Sequence, residues 1–128
     1  MGPIAGGKLE GEVSAWPEDL SFTDEVENVL LETNPEDPYS VTIWGVQVDN
    51  KFFIAGVDDD SRWVENIYEN PNVVLAIKDK LYPARATIVK DQGTLRSIGD
   101  AYLKKYGYAG EEDFFEDGGT LFQLKPES

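Results

Sequence analysis

Ser61 and Arg62 are the residues whose types and spacing most directly suggest chemistry. In the stretch SRWVENIYENPNVVLAI, Ser61 can cap a short helix, and Asn70-Pro71 ends it before an apolar strand from Val73 to Ile77. Free backbone N–H groups of the first helical turn, the capping hydroxyl and the Arg62 guanidinium could converge on one anion. The segment therefore offers a phosphate site, and a plain capped connecting helix is the alternative.

Composition restricts the chemistry that the chain can perform. Its 128 residues include no cysteine and no histidine. This excludes disulfides, thiol nucleophiles, histidine triads, and zinc or haem sites that depend on those side chains. Acid–base chemistry by carboxylates or tyrosine, an oxygen-ligand metal site and a bound organic cofactor remain. The acidic run Asp58 to Asp60 lacks the ligand spacing of a calcium loop, so we expect no metal site.

The charge balance excludes further classes of partner. There are 25 acidic against 11 basic residues and a formal net charge of −14. A surface of this sign repels nucleic-acid phosphates and anionic lipids, so we expect neither nucleic-acid nor membrane binding. No stretch approaches the ~18 apolar residues of a membrane helix, and the first eight residues lack the apolar segment of a secretory signal. We therefore expect a cytoplasmic protein.

Most of the remaining pattern predicts strands joined as hairpins. The length favours one domain over residues 1–128, with the glycine-rich residues 1–7 as a flexible N-terminal arm. The segment 25–33 fits either a helix or a strand, and the turn-rich segment 34–38 favours a hairpin over 25–48. Strands are predicted at 8–14, 25–33, 39–48, 52–57, 73–78, 81–90 and 120–125, and helices at the Ser61 segment and at 91–106.

Antiparallel strands at this density usually form a barrel or a sandwich. Short loops at Asp49 to Lys51 and at Asp79-Lys80 predict two further hairpins, and Pro83 indicates an edge or a bulge in its strand. A small barrel removes unpaired strand edges and leaves a mouth that can bind a ligand.

The order of these motifs resembles the flavin-binding split-barrel family typified by pyridoxamine 5'-phosphate oxidase. A strand ending in VTIW is followed by a hairpin into FFIAG and then by SRWVENIYENPNVVLAI, so the similarity runs from about Val26 to Val89. The part from Trp63 to Asn66 is also similar to the deazaflavin-dependent nitroreductase branch. The resemblance implies a mainly β fold, an antiparallel split β-barrel of about six to seven strands with two helices. It also implies a homodimer with the flavin ring at the subunit interface.

Carried over by position, the resemblance implies a set of cofactor-binding residues. Ser61 and Arg62 would hold the flavin phosphate, and residues on two strands would line the flavin. Trp63 stands where a phosphate-binding lysine is common, and Pro83-Ala84 replaces an Arg-Gln pair of the oxidase. The implied cofactor-binding residues are Ser61, Arg62, Trp63, Asn66, Thr42, Trp44, Ala55 and Gly56.

Two functions from different classes follow. The first is an oxidoreductase that binds FMN or a deazaflavin and acts on an unidentified small substrate, with the cofactor supplying the redox chemistry and no protein general base required. The second is a non-catalytic split-barrel dimer that has lost the cofactor and serves as a ligand-binding or interaction module. Trp44 and Trp63 could each have a packing role instead of a cofactor contact, because aromatic residues at such positions also pack in cores and interfaces.

Overall fold

The computed structural model describes residues 9, 11–26, 28–56, 62–106 and 120–126. The predicted N-terminal arm, Ser61 and the run Asp58 to Asp60 lie outside these residues. A 3₁₀ helix spans Ser21–Glu25. In chain order the strands and α-helices are β1 Glu12–Val13, β2 Val29–Thr33, β3 Tyr39–Ile43, β4 Gly45–Val48, β5 Lys51–Gly56, α1 Arg62–Glu69, β6 Asn72–Ile77, β7 Lys80–Ile88, α2 Gln92–Tyr106 and β8 Thr120–Pro126.

The strands form one sheet that curls into a split barrel. Its order is β3-β2-β6-β7-β8-β5-β4, with antiparallel neighbours, and β1 adds a short parallel pair to β7. The two ends of this order, β3 and β4, are consecutive in the chain and are joined by Trp44. The ends of the sheet are therefore connected by the chain itself and not by a ladder of hydrogen bonds. The predicted mainly β, antiparallel split barrel with two helices is confirmed.

The predicted hairpins are confirmed, with small shifts. The ambiguous segment 25–33 contains β2, which pairs with β3 across the loop 34–38. Asp49 and Asn50 join β4 to β5 with φ of 53° and 62°, a left-handed backbone that Asn and Asp tolerate. The turn between β6 and β7 is Lys78-Asp79, one residue earlier than predicted, because Ile77 pairs with Lys80.

The segment 39–48 was expected to be one strand, and this is wrong. The structure divides it at Trp44, so that β3 and β4 have different neighbours. The physical reason lies at Gly45, where an added Cβ would meet the Phe52 ring at 2.4 Å. The chain turns this corner only because Gly45 has no side chain at that close approach.

Pro83 lies where one edge of β7 stops pairing with β1 and starts pairing with β8, while its other edge pairs with β6. Lys80 and Leu81 pair with β1, whereas pairing with β8 begins at Ala84. The Pro83 carbonyl accepts a hydrogen bond from Trp16 Nε1 at 2.7 Å. Proline lacks a backbone donor, so it fits this gap between two ladders, as predicted for an edge position.

Two clusters of buried side chains hold the fold together. The main core fills the barrel and includes Leu31, Phe52, Leu75 and residues of α1, which packs against it. The second cluster lies between α2 and the outside of the barrel, where Ile98 meets the β4–β5–β8 part of the sheet. No described helix is long and apolar enough to cross a membrane.

Gly45→Ala should destabilise the protein by about 1–3 kcal/mol, because the new methyl group overpacks the Phe52 ring. Urea unfolding measures this change. Gly93→Ala is the matched control, since the nearest atom to its added Cβ is an exposed carboxylate oxygen of Asp91 at 3.3 Å, and we expect a change within about 1 kcal/mol. Equal effects of the two substitutions would contradict a packing origin for the corner.

Asp91→Asn tests the cap of α2. Asp91 Oδ2 accepts hydrogen bonds from the backbone N–H and the hydroxyl of Thr94, both at 2.8 Å, and these bonds lower the pKa of Asp91 below its usual value. A lowered folded-state pKa stabilises the protein above the pKa of the unfolded state, and this contribution is lost as pH falls through the folded-state pKa. We expect wild type to be more stable than Asp91→Asn at pH 7 and the difference to shrink below pH 3.8. Thermal unfolding across pH measures it, and a pH-independent difference would contradict it.

Candidate functional site

Arg62 is the first residue of α1 and its side chain is exposed. Its guanidinium carbon lies 5.8 Å from the centroid of the Tyr39 ring, within the range of a cation–π contact. Tyr39 is the first residue of β3, so this contact places a cation beside one end of that strand. The guanidinium still faces solvent and is accessible to an anion.

Trp63 and Asn66 hold α1 against the barrel. The Trp63 side chain is only 7% exposed, and its ring meets Phe122 edge-on at 6.0 Å between centroids. Asn66 Nδ2 donates to Thr33 Oγ1 at 3.0 Å, and Thr33 Oγ1 donates to the Tyr39 carbonyl at 3.2 Å. These contacts give both residues a packing role, and their predicted contact with a cofactor stays a prediction.

The last turns of α2 hold the backbone at the Trp44 corner. The Tyr102 hydroxyl donates to the Trp44 carbonyl at 3.0 Å. Lys105 Nζ donates to the carbonyls of Gly45 and Thr23, both at 2.8 Å. Partial burial lowers the pKa of Lys105, and the nearby carboxylate of Asp24 opposes that shift. The corner is thus fixed, while the Trp44 side chain remains 43% exposed.

Ala55 and Gly56 lie beside this corner. Gly45 pairs with Ile54, so Trp44 and Ala55 are the next residues at that end of the β4–β5 ladder. The Ala55 side chain packs against the second core cluster, and Gly56 pairs with Thr120. Only the backbone of this short segment is therefore placed to face a ligand at the corner.

Thr42 lies on β3, one of the two end strands of the sheet. It is partly buried and pairs with Leu30 of β2. In the part of the chain that the structure describes, no strand pairs with the other edge of β3. Alternate N–H and C=O groups of an unpaired edge can hydrogen-bond a ligand or another chain.

The predicted residues thus fall into two groups at opposite ends of β3. Arg62 lies over Tyr39 at its start, and Trp44 follows its last residue. At the rise of an antiparallel strand, Tyr39 and Trp44 are roughly 17 Å apart along the chain. This arrangement suits an elongated ligand with an anionic group at one end and a flat ring at the other.

Sequence reasoning missed three residues that shape this site. Tyr39, Tyr102 and Lys105 are absent from the cofactor-binding residues that the sequence predicts. Each acts through a contact between segments distant in sequence. The position of Lys105 in the last turn was the one local signal, and it pointed only to the carbonyls of its own helix.

Known structures share this architecture at low sequence identity. A protein from Listeria innocua provisionally named as a pyridoxamine 5'-phosphate oxidase superimposes with a TM-score of 0.66 at 12% identity, covering 85% of this chain and 90% of that one. The chain has the split-barrel fold of pyridoxamine 5'-phosphate oxidase-like proteins. At such identities the likeness establishes the fold alone.

Two further structures with the same fold are named for flavin-type cofactors. An FAD-binding protein from Mesorhizobium loti matches with a TM-score of 0.58 at 14% identity, covering 84% of this chain and 87% of that one. A protein named F420 reductase matches with a TM-score of 0.61 at 14% identity, covering 88% of this chain and 96% of that one. No protein-family model and no curated protein matches the chain.

Lys105→Met should destabilise the protein by about 1–3 kcal/mol, because the carbonyls of Gly45 and Thr23 lose their shared donor at a partly buried site. Lys104→Met is the matched control, since Lys104 is exposed, and we expect a change within about 0.5 kcal/mol. Chemical denaturation measures both variants. Similar effects at the two positions would show that Lys105 does not hold the corner.

Proposed function

We propose that the protein is a cytoplasmic, homodimeric oxidoreductase that binds FMN or a deazaflavin and reduces or oxidises a small substrate. The observation that carries this proposal is the exposed Arg62 guanidinium held over Tyr39 at one end of β3, with the exposed Trp44 ring at the other. The FAD-binding and F420 reductase proteins of the same fold support the choice of cofactor class. The sequence contains no histidine or cysteine, which agrees with a reaction carried by the cofactor.

The phosphate end of the cofactor would bind beside Arg62. A flavin phosphate carries roughly −1.5 to −2 charges near neutral pH, as phosphomonoesters do. One arginine can neutralise part of this charge through paired N–H donors. Ser61, which lies outside the described residues, is predicted to add its hydroxyl. Because the whole chain has a net charge of −14, this local cation matters for admitting an anionic cofactor.

The ring end would lie along the unpaired edge of β3. A flavin or deazaflavin ring has donors and acceptors on one edge, and the backbone groups of Thr42 and its neighbours could bond them. Trp44 offers an aromatic face for stacking, and its backbone is fixed by Tyr102. The bound cofactor would supply hydride or electron transfer, while these residues would bind it and orient it.

A second copy of the chain is the proposed partner. Leu30 lies between Thr42 and Ala76 in the β3–β2–β6 part of the sheet and is 39% exposed. Trp44, which follows the last residue of the neighbouring strand β3, is a second large, partly exposed apolar side chain. Burying these residues against a symmetric copy would remove their apolar surface from water and would place the site at the interface.

Arg62→Ala should weaken the binding of FMN or a deazaflavin roughly tenfold or more, since it removes a charge-assisted bond to the phosphate. Isothermal titration and cofactor-induced stabilisation measure the effect. Arg96→Ala is the matched control, because Arg96 is an exposed arginine on α2. This variant should bind the cofactor with the affinity of wild type. Failure of both cofactors to bind the wild type below about 100 μM, with no rise in melting temperature, would contradict the proposal.

A non-catalytic split barrel is the second candidate, and one observation favours it. Trp63 occupies the position where a second phosphate-binding cation is common in the resembling family, and its side chain is buried against Phe122. The same Arg62→Ala variant separates the two functions. Loss of dimerisation with no effect on flavin binding would favour the non-catalytic module.

A further inference from the structure

A cleft of about 440 Å³ lies beside the β6–β7 turn. This volume falls within the range of small-molecule sites, roughly 300–1,000 Å³. Phe22 and Tyr82 contribute aromatic rings to its lining, and Lys78 and Lys80 contribute cations. None of the residues assigned above to cofactor binding lines it. The cleft is therefore distinct in composition from the proposed flavin site.

The apolar part of the cleft is formed by one buried and one exposed aromatic side chain. Tyr82 is buried and packs against Trp16, with ring centroids 5.6 Å apart. Phe22 belongs to the 3₁₀ helix and is 36% exposed, so one aromatic ring of the lining is open to solvent. A flat apolar ligand would cover this ring and meet a rigid wall at Tyr82.

The two lysines are unusual in this acidic chain. Among the described residues, neither Lys78 nor Lys80 donates a side-chain hydrogen bond or joins an ion pair. Asp79, which lies between them, also lines the cleft, and the two lysines outnumber this one carboxylate. Glu12 pairs with Lys80 through the backbone. Two of only 11 basic residues thus flank one cleft and are available to a ligand.

Lys78 also has an unfavourable backbone conformation. Its φ is 59° in a two-residue hairpin turn whose second residue is not left-handed, and glycine is preferred at such a first position. The turn is held in place because Asp79 O accepts the Glu12 N–H at 3.0 Å. Gly11 allows this approach, since an added Cβ there would meet Asp79 O at 2.8 Å. A lysine at a strained, fixed position suggests a role for its ammonium group.

We propose that this cleft binds a small planar anion, an aromatic carboxylate by chemical class, separately from the flavin site. The ring lies against Phe22 and Tyr82, and the carboxylate faces the ammonium groups of Lys78 and Lys80. The cleft's size, its aromatic lining and the excess of two lysines over one carboxylate favour this class over a neutral ring or a simple inorganic anion.

Titration of the full chain with 2-naphthoate, followed by backbone amide NMR shifts, tests the proposal. We expect saturable binding with the largest shifts at residues 77–82 and at Phe22. Lys78→Gly and Lys80→Gln should each raise the dissociation constant about fivefold. This is the effect of removing one unit charge at about 4 Å from the carboxylate in water. Lys78→Gly should also raise the melting temperature, because glycine relieves the positive φ. Lys51→Gln, at the other tight hairpin turn, should bind naphthoate as wild type does.

Naphthalene-2-carboxamide, the neutral analogue, should bind more weakly than naphthoate. Equal affinity of the two compounds, equal affinity of all variants, absence of saturable binding, or shifts centred on Trp44 would overturn the proposal. Arg62→Ala should leave naphthoate binding unchanged, and Lys78→Gly should leave FMN binding unchanged. The naphthoate test therefore remains valid even if flavin does not bind. Competition between FMN and naphthoate would show that the two sites are not separate.

Discussion

The fold depends on the close approach of Gly45 to the Phe52 ring. A Cβ on Gly45 would lie 2.4 Å from that ring, so glycine lets the chain pass from β3 to β4 at this point without displacing Phe52. The passage makes the two end strands of the sheet consecutive in the chain and leaves Trp44 exposed at the corner. The proposed ring site lies at this corner, beside the unpaired edge of β3.

Helix α2 fixes the corner, and helix α1 supplies the charge. Hydrogen bonds from Tyr102 and Lys105 to the carbonyls of Trp44 and Gly45 hold the backbone. At the other end of β3, Trp63 anchors α1 in the core and leaves Arg62 over Tyr39. Trp63 therefore stabilises the packing of α1, and Arg62, the residue before it, presents a cation to solvent. Preorganised groups of this kind reduce the ordering that ligand binding requires.

Local signals in the sequence predicted the hairpins and the late helix. Asp49-Asn50 tolerate a left-handed backbone, and Asp91 caps α2 through Thr94, so both features depend on residues close in sequence. The division at Trp44 could not be predicted, because it depends on how Phe52 packs after folding. The turn at Lys78-Asp79 was placed one residue late, since its register depends on pairing across the sheet.

The candidate site was predicted less completely than the fold. Arg62 was predicted from its place at a helix start, but its contact with Tyr39 joins residues 23 positions apart and has no local signature. Trp63 was grouped with the cofactor residues by its position in the resemblance, its ring packs in the core, and its contact with a cofactor stays a prediction. Sequence patterns thus located the α1 segment, but the direction of each side chain depends on how the barrel packs.

A crystal structure of the chain soaked with FMN tests the proposed cofactor site most directly. We predict that the flavin ring lies along the unpaired edge of β3 beside Trp44, with its phosphate within hydrogen-bond distance of the Arg62 guanidinium. A flavin bound elsewhere, or a phosphate with no contact to Arg62, would contradict it.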